Sequence, residues 1–419
     1  MQPLPEVRAE VLARCAPLPA EHVTVRAARG SVVVDDVTAP ADLPGFASSA
    51  MDGFAVRAAD VAGASETVPV VLEVVETVMA GRAPTKQVGA RQAVRSMTGA
   101  PVLDGAYAIV PVEVTRHSDG VRDDDETVAI LAPSASGQHL RGAGDDARAG
   151  TVVVRAGSTV TAPLIGVLTA IGATHVEVVP RPRVGVISTG DELVEPTRGL
   201  ERGQIRDSNR PMLLAAVAEA GGVPVNLGWV RDDADAVAAA LRAGAHRCDL
   251  LLTSGGVSMG EADVVKMVLD RMVDPRWFQI ALRPAKPFAL ASVGEVPLLG
   301  LPGKPVSALL SFEVLARPAI RRLGGHEELD RPRVTARAGA GLDRRPDGKL
   351  HLVRVRLTRG EAGAWTAEPV PHQGSHQLVA TAGATGLALV HDGPGVAEGE
   401  PVEVLVLDPT AALAALAPV

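Results

Sequence analysis

The sequence predicts a multidomain protein of the α/β plus β class, in which a doubly wound parallel-sheet domain lies between β-rich domains. Between residues 183 and 322, predicted strands and helices alternate. Uncharged runs there, such as Val184-Gly-Val-Ile-Ser, suit strands that are buried on both faces of a parallel sheet. Before and after this region, short Val-rich runs broken by Gly, Pro and Asp are typical of strands and turns.

The predicted elements begin with an amphipathic helix over 4–18, in which Val7 and Val11 form the apolar stripe. Strands and turns follow over 30–131. The acidic run at 116–126 is interpreted as a solvated hairpin tip. A short helix over 162–172 precedes a linker at 180–183. The α/β region then gives strands 183–188, 223–230, 249–253 and 296–300, extended segments 276–282 and 288–292, and helices 210–220, 233–243, 262–272 and 305–322.

These patterns predict four domains. Residues 1–29 and 137–179 form a discontinuous N-terminal domain, and residues 30–136 form a β-rich domain inserted into it. Residues 180–326 form the α/β domain, and 330–408 form a small C-terminal β domain.

Composition excludes several classes of function. With 41 basic and 49 acidic residues the net charge is −8, and aromatic residues make up only 2% of the chain, so neither a nucleic-acid surface nor a basic membrane anchor is expected. Cys15 and Cys248 are the two cysteines, too few for a disulfide framework or a four-thiolate zinc site. The chain begins without the features of a signal peptide and has no apolar run of spanning length, so we expect a cytoplasmic protein.

Three loops that follow predicted parallel strands carry the residues most suited to chemistry. They are Ser188-Thr-Gly-Asp-Glu-Leu, Thr253-Ser-Gly-Gly-Val-Ser-Met-Gly-Glu-Ala-Asp and Gly300-Leu-Pro-Gly-Lys-Pro-Val-Ser. Ligands of such sheets bind at the carboxyl ends of the strands, and glycines let the backbone approach an anion. The second loop predicts substrate contacts at Ser254, Gly255, Gly256 and Ser258. The third loop is not a Walker A motif, because Leu298 and Pro305 replace its required Gly and Ser/Thr.

Three carboxylates, Glu192, Asp232 and Asp263, fall on successive loops at this edge. Acids around an anion-binding loop would repel one another unless a divalent cation joined them, and Mg²⁺ prefers oxygen ligands together with substrate phosphate. Each carboxylate taken alone could instead cap a helix. Together they predict a Mg²⁺ site.

Two lysines stand in loops rich in Pro and Gly, although the chain has only five lysines. Lys286 lies in Arg283-Pro-Ala-Lys-Pro, and Lys304 lies just before a predicted helix. A compact ammonium binds an oxyanion as a point charge, whereas the alternative is a lysine that extends into solvent. No nucleophile triad is apparent, and His372 and His376 suit surface or capping roles better than metal binding.

The motifs resemble those of the molybdopterin molybdenumtransferase (MoeA/gephyrin) family over nearly the whole chain. The segments that carry the resemblance are Pro44-Gly-Phe-Ala-Ser-Ser-Ala-Met-Asp-Gly-Phe-Ala-Val, Thr98-Gly-Ala-Pro, Gly105-Ala-Tyr-Ala-Ile-Val-Pro-Val-Glu, Arg141 with Gly144-Asp-Asp, Ser188-Thr-Gly-Asp-Glu-Leu-Val, Gly203-Gln-Ile-Arg-Asp-Ser-Asn, Ser254-Gly-Gly-Val-Ser-Met-Gly-Glu-Ala-Asp, Lys286-Pro-Phe and Gly300-Leu-Pro-Gly-Lys-Pro-Val-Ser.

The resemblance implies a four-domain homodimer whose α/β domain binds molybdopterin. It implies an enzyme that inserts molybdate into adenylylated molybdopterin, releases AMP and requires Mg²⁺. It also implies an active cleft formed by the α/β domain of one subunit and the N-terminal domains of the other.

Matching motifs assign roles to individual residues. Four would line the cleft from the partner subunit: Asp52, Thr98, Arg141 and Asp146. Three would hold Mg²⁺ and the adenylyl phosphate: Glu192, Asp232 and Asp263. The oxyanion pocket would be shaped by Arg283, Lys286, Pro302, Pro305 and Ser307, joined by Lys304, with Arg354 and Ser375 added from the last domain.

The sequence departs from the family pattern in three places. The Arg-rich run is reduced to Arg141-Gly-Ala, Lys304 replaces the usual Asn, and Arg283 and Ala285 replace the usual Lys and Gly. Two other functions remain as alternatives: a scaffold of the gephyrin type and the related molybdopterin adenylyltransferase. Clustered charge at Asp52, Glu192, Asp263 and Lys286 favours the enzyme over the scaffold. The 180 residues that precede the α/β domain argue against the adenylyltransferase.

Overall fold

The computed structural model describes residues 1–102, 107–116, 126–195, 197–257, 264–272, 275–360 and 363–408. The chain forms two compact units. The first, the α/β unit, comprises Met1–Val23, Ala28–Val34 and Glu177–Val419, and the second, the N-terminal unit, comprises Thr24–Ala27 and Asp35–Val176. Residues 1–23 thus pack with the α/β region, whereas the sequence grouped residues 1–29 with 137–179. The division into four domains stays a prediction.

The helices of the described chain are α1 (Leu4–Ala13), α2 (Ala58–Val61), α3 (Ala162–Ala170), α4 (Asn209–Glu219), α5 (Ala234–Ala245), α6 (Val264–Met272), α7 (Pro305–Ser311), α8 (Arg317–Leu323) and α9 (Leu378–Ala382). The strands before residue 180 are β1 (Glu21–Thr24), β2 (Val32–Val33), β3 (Val37–Thr38), β4 (Ser48–Ser49), β5 (Gly53–Arg57), β6 (Val70–Val78), β7 (Gln92–Ser96), β8 (Tyr107–Pro111), β9 (Thr115–Arg116), β10 (Thr127–Ile130), β11 (Leu140–Arg141), β12 (Val152–Val154) and β13 (His175–Val179). The later strands are β14 (Arg183–Thr189), β15 (Leu193–Val194), β16 (Ile205–Arg206), β17 (Val223–Val230), β18 (Leu250–Ser254), β19 (Arg276–Gln279), β20 (Leu282–Arg283), β21 (Pro287–Val293), β22 (Val296–Leu301), β23 (Arg333–Ala338), β24 (Leu342–Asp343), β25 (Leu350–Arg359), β26 (Trp365–Pro369), β27 (Gly386–Val390), β28 (Gly395–Val396) and β29 (Pro401–Val406).

The central sheet of the α/β unit has the strand order β17-β14-β18-β22-β21-β19. The first four strands are parallel, as the sequence predicts, while β21 and β19 add an antiparallel edge. Val184 pairs with Leu250 and Leu251 with Leu298, so the strands end level with one another. The loops that follow β14, β18 and β22 therefore leave the same edge of the sheet.

Alternate residues of these strands enter two separate cores, which confirms the doubly wound arrangement. On one face Val186 and Leu252 pack with α4, α7 and α8, and on the other Leu251 packs with α5 and α6. Because both faces are covered, the strands are continuous apolar runs rather than alternating ones.

The first helix ends at Ala13, earlier than predicted, because Pro17 disfavours helical backbone at the residue before it. Its apolar stripe is as expected, with Val7 and Val11 buried in the core that contains Ile320 and Leu323 of α8. Both cysteines are free and buried.

The segment predicted as one helix over 305–322 is instead three consecutive pieces. A π-helical turn at Phe312–Ala316 separates α7 from α8. Pro318 explains the interruption, since it has no N–H with which to continue the helical hydrogen bonding and its ring crowds the preceding turn. The turn carries Glu313, which is buried and forms an ion pair with Arg331 at 3.0 Å.

The C-terminal region forms a sheet with the order β20-β25-β26-β23-β29-β27, and a further pairing of β25 with β27 closes it into a small barrel. The ten-residue strand β25 makes this closure possible: Val353 pairs with β27, and Leu357 pairs with β26. Small and branched side chains fill the interior, as in other narrow barrels.

The N-terminal unit contains a six-stranded sheet with the order β8-β5-β7-β6-β10-β9. The hairpin predicted near residues 116–126 is present as the pairing of β9 with β10. Its acidic tip, with Asp119, Asp123, Asp124 and Asp125, lies outside the described residues. In the part of the chain described here, no helix is both long and apolar enough to cross a membrane.

The Arg331–Glu313 pair predicts a measurable stability difference. We expect Glu313→Gln to lower the free energy of unfolding by about 2 kcal/mol, because a charged hydrogen-bonded group is lost from a site where Glu313 is 4% and Arg331 is 12% exposed. Burial already lowers the pKa of neighbouring Arg317 to about 10, and Glu313 opposes that shift. Urea unfolding followed by the fluorescence of the three tryptophans, all in the α/β unit, measures the change.

Glu403→Gln is the matched control. It alters another Arg–Glu pair, Arg333–Glu403 at 2.6 Å, in which the side chains are 47% and 41% exposed. Solvent screening limits this loss to less than about 0.5 kcal/mol. Equal losses of unfolding free energy in the two variants would contradict the larger contribution expected of the buried Arg331–Glu313 pair.

Candidate active site

Three loops meet at the carboxyl ends of β14, β18 and β22, and their glycines let them touch. The Gly255 N–H donates to the carbonyl of Leu301 at 3.2 Å. A Cβ atom at Gly255 would lie 3.0 Å from the Thr189 carbonyl oxygen, and one at Gly303 would lie 3.5 Å from the Gly255 Cα. Gly255 also has a φ of +97°, a conformation that favours glycine. A side chain at Gly255 would therefore press against the end of β14, whereas Gly303 makes an ordinary contact.

The loops border a cavity of about 880 Å³ within the α/β unit. Ten residues that the sequence predicted as site residues line it: Glu192, Asp232, Gly255, Gly256, Arg283, Lys286, Pro302, Lys304, Ser307 and Ser375. They come from six separate segments of the chain, which only the fold brings together.

Two carboxylates belong to this cavity. The Glu192 side chain folds against Gly190, where a Cβ atom would lie 2.5 Å from Glu192 Oε2. Asp232 also lines the cavity, while the adjacent Asp233 caps α5 by accepting a hydrogen bond from the Ala236 N–H at 2.8 Å. The capping alternative therefore applies to Asp233 and not to Asp232. The third predicted ligand, Asp263, lies outside the described residues.

Three cationic side chains line the same cavity: Arg283, Lys286 and Lys304. Lys304 occupies the N-cap position of α7, directly before Pro305, the first residue of the helix. Between the other two cations, Ala285 is 3% exposed and has a φ of +83°. This is the position where the family pattern has Gly, and the backbone keeps the conformation that glycine favours.

The C-terminal region supplies one wall of the cavity through residues 373–376. The wall is joined to α7 by a hydrogen bond from the Val306 N–H to the Ser375 carbonyl at 3.1 Å. Ser375 lines the cavity as predicted, and so does His376, for which the sequence suggested only a surface or capping role.

Arg354 does not line the cavity, contrary to its predicted contact with substrate. Its side chain is 1% exposed, and its guanidinium donates to the His372 carbonyl at 2.9 Å, to Gln373 Oε1 at 3.2 Å and to Thr381 Oγ1 at 2.7 Å. Burial lowers its pKa. Arg354 therefore holds the wall from behind, because its donors are used within the protein.

Two other predicted substrate residues, Ser254 and Pro305, also stand apart from the cavity lining. Ser254 is 3% exposed, and its hydroxyl accepts a hydrogen bond from Asn209. Pro305 is the first residue of α7, where its fixed φ suits a helix start. Ser258 lies outside the described residues.

The remaining described residues of the prediction, Asp52, Thr98, Arg141 and Asp146, lie in the N-terminal unit. Asp52 Oδ1 accepts hydrogen bonds from the Thr98 N–H at 2.7 Å and the Thr98 hydroxyl at 2.8 Å. These bonds lower the pKa of Asp52, which is therefore a carboxylate at neutral pH. Arg141 pairs with Ser48 across β11 and β4, and the Asp146 N–H donates to the Leu43 carbonyl at 3.0 Å.

Sequence reasoning missed several cavity residues, among them Gly190, Gln373 and His376. Gly190 lies in Ser188-Thr-Gly-Asp-Glu-Leu, from which the sequence predicts only Glu192 as a site residue. Gln373 and His376 lie in a short segment, and nothing in their spacing shows that the barrel brings them to α7. Asn209 was also missed, although its motif, Gly203-Gln-Ile-Arg-Asp-Ser-Asn, was recognised.

Charge and shape suit this cavity to phosphate or another oxyanion beside a divalent cation. Within the described residues, no group of three or more His, Cys, Asp or Glu side chains is placed to hold a metal by itself. Two carboxylates and three cationic side chains line the cavity together, a set that suits a ligand with its own oxygen atoms.

Family models match almost the entire chain. A model of the MoeA N-terminal region (domain I and II) matches residues 2–172, one of a probable molybdopterin binding domain matches 185–322, and one of the MoeA C-terminal region (domain IV) matches 336–407.

Individual relatives agree with these matches. Molybdopterin molybdenumtransferase 2 of Mycobacterium tuberculosis is 42% identical over 91% of this chain and 92% of its own. Molybdopterin molybdenumtransferase of Haemophilus influenzae is 33% identical over 90% and 91%. The crystal structure of a molybdopterin biosynthesis MoeA protein from Pyrococcus horikoshii is 29% identical, with a TM-score of 0.74 over 97% of this chain and 99% of that one. The chain therefore belongs to the molybdopterin molybdenumtransferase (MoeA) family.

Proposed function

We propose that this protein is a molybdopterin molybdenumtransferase that inserts molybdate into adenylylated molybdopterin and releases AMP. The observation that carries the proposal is the single cavity in which Glu192 and Asp232 face Arg283, Lys286 and Lys304 beside two glycine loops. Such a cavity suits a substrate that brings both a phosphate group and an oxyanion. The names of the relatives supply molybdopterin and molybdenum transfer, and the adenylyl group is part of the proposal from the family resemblance.

The cations and the glycine loops would share the work of binding. Lys286, Lys304 and Arg283 would neutralise molybdate and the phosphate oxygens, and Ser307 would donate to one of them. Backbone N–H groups of Gly255 and Gly256 can approach phosphate closely because neither residue has a side chain. Fixed positive charge in a cleft stabilises the negative charge that develops during transfer without reorganising water.

Mg²⁺ fits the donors of this cavity. Magnesium commonly binds through one or two carboxylates plus substrate phosphate, and Glu192 and Asp232 supply that number. We propose Asp263 as a third ligand on the resemblance alone. The bound ion would neutralise phosphate charge, while the residues themselves orient the substrate.

We further propose that the protein is a homodimer in which Asp52, Thr98, Arg141 and Asp146 act in the cleft of the partner subunit. What supports this is the family resemblance, together with the preformed bonds from Thr98 that keep Asp52 ionised. A carboxylate held in that state can accept hydrogen bonds or bind a cation at neutral pH.

The decisive experiment measures AMP release from adenylylated molybdopterin with and without molybdate. We expect release that depends on molybdate and on Mg²⁺. Pyrophosphate release from ATP and molybdopterin would identify an adenylyltransferase instead. The absence of both reactions would refute the proposed function.

Glu192→Gln tests the metal ligand. We expect at least a 100-fold fall in Mg²⁺-dependent turnover, since one carboxylate ligand is lost, with little change in stability because the side chain is exposed. Glu201→Gln, an exposed acid of the following loop, should behave as wild type. Wild-type rates from Glu192→Gln at limiting Mg²⁺ would remove Glu192 from the metal site.

Lys304→Asn tests the residue that departs from the family pattern. We expect molybdate affinity to fall about fivefold at low ionic strength, which corresponds to about 1 kcal/mol for a solvated ion pair, and the difference to shrink as salt increases. Calorimetric titration across a salt series measures it. Lys86→Asn removes a lysine from the other unit and should leave affinity and salt slope unchanged. The same affinity and slope in Lys304→Asn would show that Lys304 has no role in binding.

Subunit exchange tests the composite cleft. Asp52→Ala and Lys286→Ala should each be inactive, but an equimolar mixture that exchanges subunits should recover about a quarter of wild-type activity. Half of the dimers would then be mixed, and each mixed dimer would hold one intact cleft. If mixed dimers are demonstrated and activity stays absent, the two residues do not act in clefts shared between subunits.

A further inference from the structure

Asn209 connects two of the loops that border the cavity. It is the first residue of α4 and one of only two asparagines in the chain. Its Nδ2 donates to Ser254 Oγ at 2.7 Å and to the Gly303 carbonyl at 2.7 Å. Because the Gly303 carbonyl can only accept, the amide orientation is fixed. A single side chain therefore bonds to the end of β18 and to the loop after β22.

A buried ionic network holds Asn209 in place. Asp207 is 4% exposed and accepts hydrogen bonds from Ser188 Oγ at 3.1 Å and from Arg210 Nε at 2.9 Å. Arg210 is also paired with Glu195 at 2.7 Å. Asn209 lies between these two buried residues in sequence, so its backbone has little freedom to move.

The bonded loops, by contrast, are built largely of glycine. Gly255 and Gly256 both have positive φ, and the Gly255 N–H bond to the Leu301 carbonyl, at 3.2 Å, is longer than either bond from Asn209. Glycine allows these loops to touch, but it also gives them the greatest conformational freedom. A side chain on a rigid helix start can restrict that freedom.

We propose that Asn209 is a positioning residue that fixes the loop of Gly255–Gly256 relative to the loop of Gly303–Lys304, and so sets the geometry of the anion site. Asn209 does not line the cavity, and its effect passes through the two loops. The expected change in turnover rests on the proposed function. It concerns loop positions, which can be measured independently of turnover.

The test is Asn209→Asp, with Asn226→Asp as the matched control. The carboxylate at 209 cannot donate and would repel the Gly303 carbonyl. Asn226 Oδ1 only accepts, from Arg210 at 3.0 Å and from the Gly228 N–H at 2.9 Å, so Asn226→Asp preserves both bonds. We expect kcat of Asn209→Asp to fall about 30- to 100-fold, with less than about a threefold change in KM. Misplaced binding groups disturb the alignment of the reacting atoms more than they weaken substrate binding. Asn226→Asp should keep wild-type kcat.

Hydrogen exchange of the intact protein gives the second readout. In Asn209→Asp the amides of Gly255–Val257 and of Gly303–Lys304 should exchange faster, and both loops should change together. Faster exchange only in the first turn of α4 would show that Asn209 merely supports its own helix and would overturn the proposal.

Ser254→Ala provides a variant that leaves the helix start untouched, in case Asn209→Asp does not fold. It removes one of the two acceptors, and we expect a smaller increase in exchange at the same amides. Unchanged exchange in Ser254→Ala, or wild-type kcat with unchanged exchange in Asn209→Asp, would overturn the inference. If wild-type protein releases no AMP, the proposed function fails while the exchange result still decides the role of Asn209.

Discussion

The site depends on the parallel pairing of β14, β18 and β22. Parallel strands in register end together, and their loops must then occupy one small region of space. Gly255 allows the close approach, since a Cβ atom there would lie 3.0 Å from the Thr189 carbonyl oxygen.

The cavity brings together two acidic and three basic side chains from separate segments of the chain. Acids come from the loop after β14 and the loop after β17, while cations come from Arg283-Pro-Ala-Lys and from the start of α7. Elsewhere in the described part of the chain, Arg331–Glu313 and Arg210–Asp207 are buried ion pairs. The exposed, unequal charges of the cavity are therefore suited to a charged ligand, which would complete the balance.

Two buried arginines near the cavity show how the fold supports it from behind. Arg354 organises the segment that contains Ser375 through bonds to carbonyl and side-chain oxygens. Arg210 holds Asp207 beside Ser188, next to the strand end that leads to Gly190 and Glu192. The sequence predicted a substrate contact for Arg354 and no role for Arg210. Their burial assigns them to the framework rather than to the ligand surface.

The sequence by itself determined the alternation of strands and helices, the loops that carry Glu192, Gly255 and Lys304, and the family. Local periodicity indicates which residues face a core. Ligands of parallel sheets bind at the carboxyl ends of the strands, which the sequence also indicates. Tertiary structure alone decided that Val7 and Val11 pack with α8, that Pro318 divides the last helix of the α/β region, and that Arg354 lies behind the cavity wall. It alone brought His376 to the start of α7 and Asn209 to two loops at once. These outcomes depend on contacts between residues far apart in the chain, and neither composition nor spacing records which distant surfaces meet.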